Sequence, residues 1–206
     1  MSFTSFSYKY YTSHPSPRTD VDFPYLIPLK DGTKTITIPV VHLNSILNRG
    51  TPSNWYCTSF KANQGDTVFA SRAGVVVESN ASQTVKDVYF NDNENYISIL
   101  QEDGTLARYS NFDINKVFPY TGERIFAAQP IGIVATNRSE NGSYINMTVF
   151  HASTEDKEPV CILTKFCASG VKPEILLPNN NYTVHHYPEV ITLGMSRKMK
   201  KKFLRE

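Results

Sequence analysis

Two segments of the chain, GDTVFASRAGVVV (residues 65–77) and GERIFAAQPIGIVA (residues 122–135), repeat one pattern of glycine, aliphatic and aromatic residues. Each begins with a glycine and two polar residues, continues with an aliphatic residue and Phe-Ala, and reaches a second glycine followed by aliphatic residues. Short apolar runs bounded by glycines are typical of β-strands. The pattern fits either a duplicated β unit packed about a pseudo-axis or a coincidence between two hairpins.

Further short strands, separated by turns, are predicted around the two repeats. Their predicted ranges are Lys34–Val41, Thr67–Ala70, Gly74–Ser79, Tyr96–Glu102, Thr105–Tyr109, Arg124–Ala127, Ile131–Thr136 and Tyr144–Phe150. Asp31-Gly32 and the run from Glu102 to Thr105 are typical of hairpin turns. Only Ser196 to Arg205 is predicted as a helix, with Ser196 as its N-cap. The spacing of these elements predicts an all-β sandwich or barrel.

The composition excludes several classes of protein. The chain has 206 residues, of which 40% are hydrophobic, and a net charge of +2, so it is neither disordered throughout nor a dedicated nucleic-acid binder. Basic residues cluster near the C-terminus, where they form either a solvated helix or a basic arm. No apolar run is long enough for a membrane-spanning helix. The N-terminus has no apolar signal-peptide core, so export by that route is not expected unless a leader precedes this sequence.

The cysteine pattern limits the metal and redox motifs. The three cysteines are Cys57, Cys161 and Cys167. An odd number leaves at least one cysteine without a partner inside the chain. No Cys-x-x-Cys pair occurs, which excludes a compact zinc finger or a thioredoxin motif. The sequence alone does not decide whether Cys161 and Cys167 form a disulfide.

The repeats and the segments beside them resemble the lysostaphin-like (LytM-type) zinc endopeptidases of bacterial peptidoglycan. The matching segments are NYISILQEDGTLARYSNF (95–112), VFPYTGERIFAAQPIGIVATN (117–137) and GSYINMTVF (142–150), and the flanks resemble Bacteroidetes-type members. The resemblance covers about residues 24–150 and implies an antiparallel fold of the duplicated-hybrid-motif type. The expected organisation is an N-terminal arm (1–24), a LytM-like β domain (25–170) and a C-terminal extension with a basic helix (171–206).

The resemblance implies that the three zinc ligands of that family (an early His, an Asp and the second His of His-x-His) and its two further site histidines are replaced in this sequence. Carried over position by position, the ligand Asp falls on Ser59, the His of Tyr-x-His-Leu on Asn111, and the His-x-His pair on Tyr144 and Asn146. The early ligand His falls within residues 51–55, which contain no histidine. Neutral hydroxyl and amide groups are weak zinc donors. The resemblance therefore implies a degenerate member with no catalytic residue, no metal and no cofactor.

The positions of the former site now carry hydrogen-bonding and stacking groups. The candidate groove consists of Trp55, Ser59, Arg108, Tyr109, Asn111, Tyr144 and Asn146. Aromatic faces and amides suit the binding of glycans or peptides. The alternative is that the groove has filled with polar groups that hydrogen-bond to one another.

A metal site rebuilt from other residues is a second alternative. His42, His151 and Cys57 are the candidate ligands. If residues 144–151 form one strand, His151 faces away from the former site. The pair His185-His186 is a poor chelator, because adjacent side chains in a strand point to opposite faces.

Three functions remain open from the sequence. The first is an inactive lysostaphin-like protein that acts in the cell envelope or periplasm, either by binding a peptidoglycan fragment or by activating a wall hydrolase. The second is an active zinc peptidase with a rebuilt site. The third is a scaffold without wall contact, which a cytoplasmic location would favour. The sequence leaves the oligomeric state open.

Overall fold

Most of the regular secondary structure in the described part of the chain is β-strand. A computed structural model describes residues 20–38, 56–81, 95–136, 142–151 and 160–205. Its strands are β1 (Lys34–Ile38), β2 (Thr58–Lys61), β3 (Thr67–Phe69), β4 (Gly74–Asn80), β5 (Tyr96–Leu100), β6 (Leu106–Ser110), β7 (Phe112–Val117), β8 (Arg124–Ile125), β9 (Pro130–Val134), β10 (Tyr144–His151), β11 (Val160–Cys161) and β12 (Asn181–Thr183). Two helices, α1 (Pro188–Ile191) and α2 (Arg197–Phe203), flank a 3-10 turn (Thr192–Gly194). The all-β fold class is confirmed.

The strands form two antiparallel sheets. Within the described residues, the larger sheet has the order β12-β1-β2-β10-β6-β5-β4-β8, with β11 beside β10. The smaller sheet has the order β3-β9-β7. Buried side chains from both sheets make one hydrophobic cluster, which includes Val68, Ile97, Phe112, Ile131 and Ile145. The core therefore lies between the small sheet and one face of the large sheet. The opposite face of the large sheet carries the candidate groove residues that are described below.

The two repeats pair with each other rather than within themselves. Strand β3 of the first repeat pairs with β9 of the second, and β4 of the first pairs with β8 of the second. Gly65 N–H donates to Val134 O (3.1 Å), and Gly122 N–H donates to Val76 O (2.7 Å) at the equivalent positions. In return, each valine N–H donates to the carbonyl of the residue after the partner glycine, at 2.9 Å in both copies. This reciprocity confirms a duplicated unit with a pseudo-two-fold arrangement.

The second glycine of each repeat lies where a side chain would not fit. A Cβ at Gly74 would lie 2.5 Å from Leu100 O, and one at Gly132 would lie 2.5 Å from the Phe112 ring. Such distances are well inside van der Waals contact, so these glycines allow a close approach of strands. The repeated glycines in the sequence thus mark packing contacts.

Four of the described strands were not predicted from the sequence, namely β2, β7, β11 and β12. They are short or polar, and their own residues carry little alternation; β12, for example, is Asn-Tyr-Thr at the sheet edge. Pairing with a neighbour defines them, since β12 pairs with β1 from Lys34 to Ile36. A strand that forms mainly by backbone pairing leaves a weak side-chain signal.

The predicted C-terminal helix is confirmed. The Ser196 side chain accepts a hydrogen bond from Met199 N–H at 3.4 Å, as an N-cap does. Helix α2 has no buried residue, and its basic side chains are exposed. In the part of the chain that the structure describes, no helix is both long and apolar enough to cross a membrane.

Candidate functional site

Strand β10 has one face toward the core and one toward the candidate site. Ile145, Met147 and Val149 are buried in the core, whereas Tyr144, Asn146 and Thr148 are half-buried on the opposite face, here called the outer face. The register with β6 is continuous from 146 to 150. His151 therefore continues the core-facing alternation of β10 and points away from the candidate site, as the sequence predicted.

The strand register places three polar side chains side by side on the outer face. Asn146 pairs with Ser59 of β2 on one side and with Ser110 of β6 on the other. Directly paired residues of adjacent strands project from the same face of a sheet. We call Ser59, Asn146 and Ser110 the polar row. Ser59 was predicted at this site, whereas Ser110 was not.

Asn146 provides an acceptor whose hydrogen bond is missing. Its Oδ1 is buried and has no hydrogen-bond partner within the described residues. A buried acceptor without a donor costs about 1–3 kcal/mol, so native proteins rarely keep one without a reason. The centre of the polar row is thus suited to accept a hydrogen bond from an N–H or O–H group.

Asn111 supports the site through the backbone. Its φ is +87°, in the left-handed region that asparagine tolerates better than most residues. In this conformation its Nδ2 donates to Tyr144 O at 3.2 Å, and its own N–H donates to Asn95 O at 3.1 Å. Asn111 therefore fixes the start of β10 next to the end of β6, and this amide N–H is already used inside the protein.

Arg108 lies on the outer face within a group of charged and polar side chains. Its Nη2 lies 3.0 Å from Glu78 Oε2, its Nε donates to Ser98 Oγ at 3.2 Å, and its guanidinium lies 4.3 Å from the Tyr96 ring centre. Tyr96 OH donates to Glu78 Oε1 at 2.5 Å. We call Arg108, Glu78, Ser98 and Tyr96 the Arg108 cluster. Three of its members were missed from sequence, although their alternate positions in β4 and β5 could have placed them on this face.

The Arg108 cluster changes the acidity of Tyr96. Burial, followed by the hydrogen bond to Glu78 and the charge of that carboxylate, raises the pKa of Tyr96 to about 12. The phenol therefore stays protonated at neutral pH and acts as a hydrogen-bond donor. Glu78 is held by Tyr96 and Arg108 together, so its carboxylate is engaged within the cluster.

Tyr109 does not line the groove, which corrects the sequence prediction. It pairs with Met147 on the core side of the sheet and is fully buried. Its hydroxyl accepts a hydrogen bond from Ser71 N–H at 2.9 Å, and burial raises its pKa. The reason is the strand period of two: Arg108 and Tyr109 are neighbours in β6 and must face opposite ways.

The remaining candidate residues lie elsewhere or outside the described ranges. Trp55 and His42 are outside the described residues. Cys57 comes directly before β2. His185 is exposed, and His186 packs edge-on against Phe69 with ring centres 5.3 Å apart.

The polar row does not fit a zinc ion. Zinc sites in proteins use cysteine, histidine and carboxylate ligands, about three or four at a time. The row offers two hydroxyls and one amide, and no group of three His, Cys, Asp or Glu side chains that could hold a metal occurs among the described residues. These donors fit hydrogen bonding to a neutral polar group better than metal binding.

The chain is similar to several solved peptidase structures. The catalytic domain of lysostaphin from Staphylococcus simulans shares 19% identity at a TM-score of 0.41, covering 64% of this chain and 86% of that one. A variant catalytic domain of the prophage-encoded M23 protein EnpA from Enterococcus faecalis shares 14% sequence identity at a TM-score of 0.43, and the match covers 65% of this chain and 92% of that one. A zinc-containing peptidase from Vibrio cholerae shares 19% sequence identity at a TM-score of 0.40, and the match covers 71% of this chain and 37% of that one.

These matches are partial in length and in sequence. The chain spans 50% of the length of intact lysostaphin. No family model matches the sequence, and no curated protein matches it.

Proposed function

We propose that this chain is a lysostaphin-like protein without peptidase activity that binds a peptide segment of peptidoglycan on the outer face of its large sheet. The observation that carries the proposal is the buried Oδ1 of Asn146 at the centre of the polar row, which has no hydrogen-bond partner among the residues that the structure describes. A backbone N–H of a bound peptide supplies the missing donor. Binding then gains the hydrogen bond that the unliganded protein leaves unmade.

The chemistry of the polar row supports binding rather than hydrolysis. Peptide hydrolysis needs a base or a metal to activate water or a nucleophile. Ser59 and Ser110 flank an amide, which is neither an acid nor a base at neutral pH. Glu78, a carboxylate on the same face, is held by Arg108 and Tyr96.

The surroundings of the row add contact area for a ligand. Tyr144 is half-buried beside the row and offers an aromatic side chain, and Asn111 holds the backbone at that point. Aromatic side chains with nearby amide and hydroxyl groups suit peptides and glycans alike. In this proposal the protein acts in the cell envelope, where it holds wall material or presents it to a separate hydrolase.

Co-sedimentation with purified peptidoglycan sacculi tests the proposal. We expect the wild-type protein to pellet with sacculi and to be released by an excess of soluble wall fragments. Asn146→Leu removes the acceptor at nearly constant size and should weaken binding by roughly 5- to 100-fold, the equivalent of one buried hydrogen bond. Asn181→Leu, an exposed asparagine on the edge strand β12, is the matched control and should bind like wild type.

Three results would contradict the proposal. If the wild-type protein stays in the supernatant, binding to the wall is wrong. If new peptide termini appear in the fragments by mass spectrometry, the protein is an active peptidase with a rebuilt site. Equal weakening by both leucine variants would show that Asn146 has no special part in binding.

A further inference from the structure

Strands β2 and β11 lie end to end along the same edge of β10. Strand β6 occupies the other edge of β10, while β2 pairs with Tyr144–Met147 and β11 pairs with Phe150–His151. Ile162 N–H also donates to Val149 O at 2.7 Å, which extends the β11 side toward β2. The start of β2 and the end of β11 therefore meet beside residues 148 and 149.

Cysteines stand on both sides of this meeting point. Cys161 pairs directly with Phe150. Ser59 pairs with Asn146 and Thr58 with Met147. Extending this register by one residue brings Cys57, which lies directly before β2, beside Thr148. The two cysteines thus occupy successive outward positions along one edge of β10.

Both cysteine side chains project from the outer face. Phe150 and Thr148 alternate with the core-facing residues of β10, so residues paired with them share the outer face. On β2, Thr58 Oγ1 donates to Tyr56 OH at 3.5 Å, which places these two side chains on one side. Cys57 lies between them in sequence and therefore points to the other side, together with Ser59.

The spacing of the two positions fits a covalent bridge. Outward positions two residues apart along a strand are about 6.7 Å apart, and the Cα atoms of a disulfide are usually about 4.4–6.8 Å apart. The backbone of Tyr56 hydrogen-bonds the Cys161 thiol, so Cys161 already touches the residue next to Cys57. All three cysteines are thiols in this structure.

Cys167 has a different environment. It is fully buried in a small apolar cluster with Leu26 and Val190, and its Sγ donates to Val171 O at 3.3 Å. Burial, followed by the charge of Glu174, raises the pKa of the Cys167 thiol to about 11. The pairing of Cys161 with Cys167 that the sequence left open is therefore disfavoured.

We propose that Cys57 and Cys161 form a disulfide when the protein meets an oxidised thiol compound. With oxidised glutathione, one cysteine thiolate attacks the glutathione disulfide and releases one reduced glutathione. The second cysteine then attacks the mixed disulfide and releases the other. Two protein thiols are oxidised, one glutathione disulfide is reduced to two thiols, and the two protons from the cysteines go to the glutathione sulfurs.

The bridge would join β2, which carries Ser59, to β11 across a loop of about 100 residues. It would fix one end of the polar row while adding no new group to it. The inference is independent of the ligand and of the proposed function. Burial raises the pKa of the Cys161 thiol, although the Tyr56 backbone opposes the rise, so exchange should be faster at alkaline pH.

Peptide mapping of the whole protein under non-reducing conditions tests the proposal. After incubation with oxidised glutathione, we expect a product lighter by two hydrogen atoms and a cross-linked peptide pair that contains Cys57 and Cys161. Cys167→Ser should still form the bridge, whereas Cys57→Ser and Cys161→Ser should not. Closing so long a loop should also raise Tm by roughly 5–15 °C, reversed by a reducing agent.

The mapping of the wild-type protein decides the outcome even if a serine variant fails to fold. Glutathione adducts on Cys57 and Cys161 without a link between them would overturn the proposal. A bridge from Cys161 to Cys167, or no oxidation at all after prolonged incubation at pH 8.5, would overturn it as well.

Discussion

At the scale of single residues, glycine sets how closely the repeats approach their neighbours. Gly74 and Gly132 occupy equivalent positions, and each would bring a Cβ to 2.5 Å from a neighbouring atom. The Phe112 ring beside Gly132 is fully buried, so it has little room to move away. The glycine pattern that identified the repeat in the sequence therefore reflects a packing requirement.

Gly132→Ala tests this requirement. The added methyl group meets both the Phe112 ring and Lys116 O, at 2.5 and 2.7 Å. Overpacking of this kind should lower the free energy of unfolding by about 1–3 kcal/mol. The measurement is urea denaturation, where the midpoint should fall while the m-value stays constant.

Gly32→Asn is the matched control for that variant. Gly32 has φ +79°, which asparagine tolerates, and no atom of the described residues lies within 4 Å of a Cβ placed there. Its cost should stay below about 1 kcal/mol. Equal losses in the two variants would show that the clash at Gly132 is not the cause.

At the level of single residues, the main difficulty in predicting the site was to decide which face of the sheet each side chain occupies. The sequence placed Ser59 and Asn146 together in the candidate groove, and these two residues do pair across β2 and β10. Tyr109 was wrongly placed in the groove, because successive side chains of a strand point to opposite faces of the sheet and its neighbour Arg108 already lies on the outer face. The missing partner of Asn146 Oδ1 depends on the neighbours across two strands, which no spacing along the chain reveals.

At the scale of elements, the β5–β6 hairpin depends on a buried ion pair. Arg72 and Asp103 are each at most 9% exposed, with Arg72 Nη1 2.9 Å from Asp103 Oδ2. The guanidinium also lies 3.6 Å from the centre of the Phe23 ring. Burial alone would raise the pKa of Asp103, but hydrogen bonds from Thr105 and the charge of Arg72 outweigh it and lower the pKa. The turn is thus stabilised by the ionised carboxylate.

Asp103→Asn should destabilise the protein at pH 7 by about 3 kcal/mol, because it leaves the buried guanidinium of Arg72 without its counter-charge. The sign of the pH effect follows from the lowered pKa. The wild-type protein has the full contribution of Asp103 above the ordinary carboxyl pKa of 3.8 and loses it as the pH falls through the lower folded value.

Stability measured from pH 7 down to pH 2 distinguishes these contributions. The difference between wild type and Asp103→Asn should shrink as the pH falls below about 4. Glu102→Gln changes the exposed carboxylate next in the same turn and is the control, with little effect expected at any pH. A constant difference across the range would contradict the role of the charge.

The predictability of each element followed its side-chain pattern. The hairpin around Gly104 was predicted because the turn residues are characteristic and both strands alternate. Strands β2 and β11 were missed because each is short and forms against β10 through its backbone. Those two strands nevertheless frame the candidate site, so the sequence predicted the sheet better than its edges.

At the scale of the whole molecule, the C-terminal segment divides into two parts with different contacts. Strand β12 and Val184 join the large sheet and the core, and Ile191 packs in the smaller apolar cluster. Helix α2 has no buried residue. The expected boundary of the β domain at residue 170 stays a prediction, and the contacts indicate where to test it.

Two truncations make that test. Removal of the residues after Ser196 deletes α2 and should change the free energy of unfolding by less than about 1 kcal/mol, because none of the residues of α2 is buried. Removal of the residues after Asn180 also deletes β12, Val184 and Ile191 and should prevent stable folding. Circular dichroism during heating measures both, and an intact transition in the shorter chain would place the domain boundary before β12.

The reciprocal pairing of the repeats has a consequence for synthesis of the chain. Gly65 N–H donates to Val134 O, and Val134 is synthesised about 70 residues later. The strand edges of the first repeat therefore lack these partners when the repeat leaves the ribosome. Contacts between such distant residues raise the contact order and slow folding, and uncovered edges invite association with other chains. We therefore expect the first half of the chain to be most prone to association with other chains until the second repeat has been made.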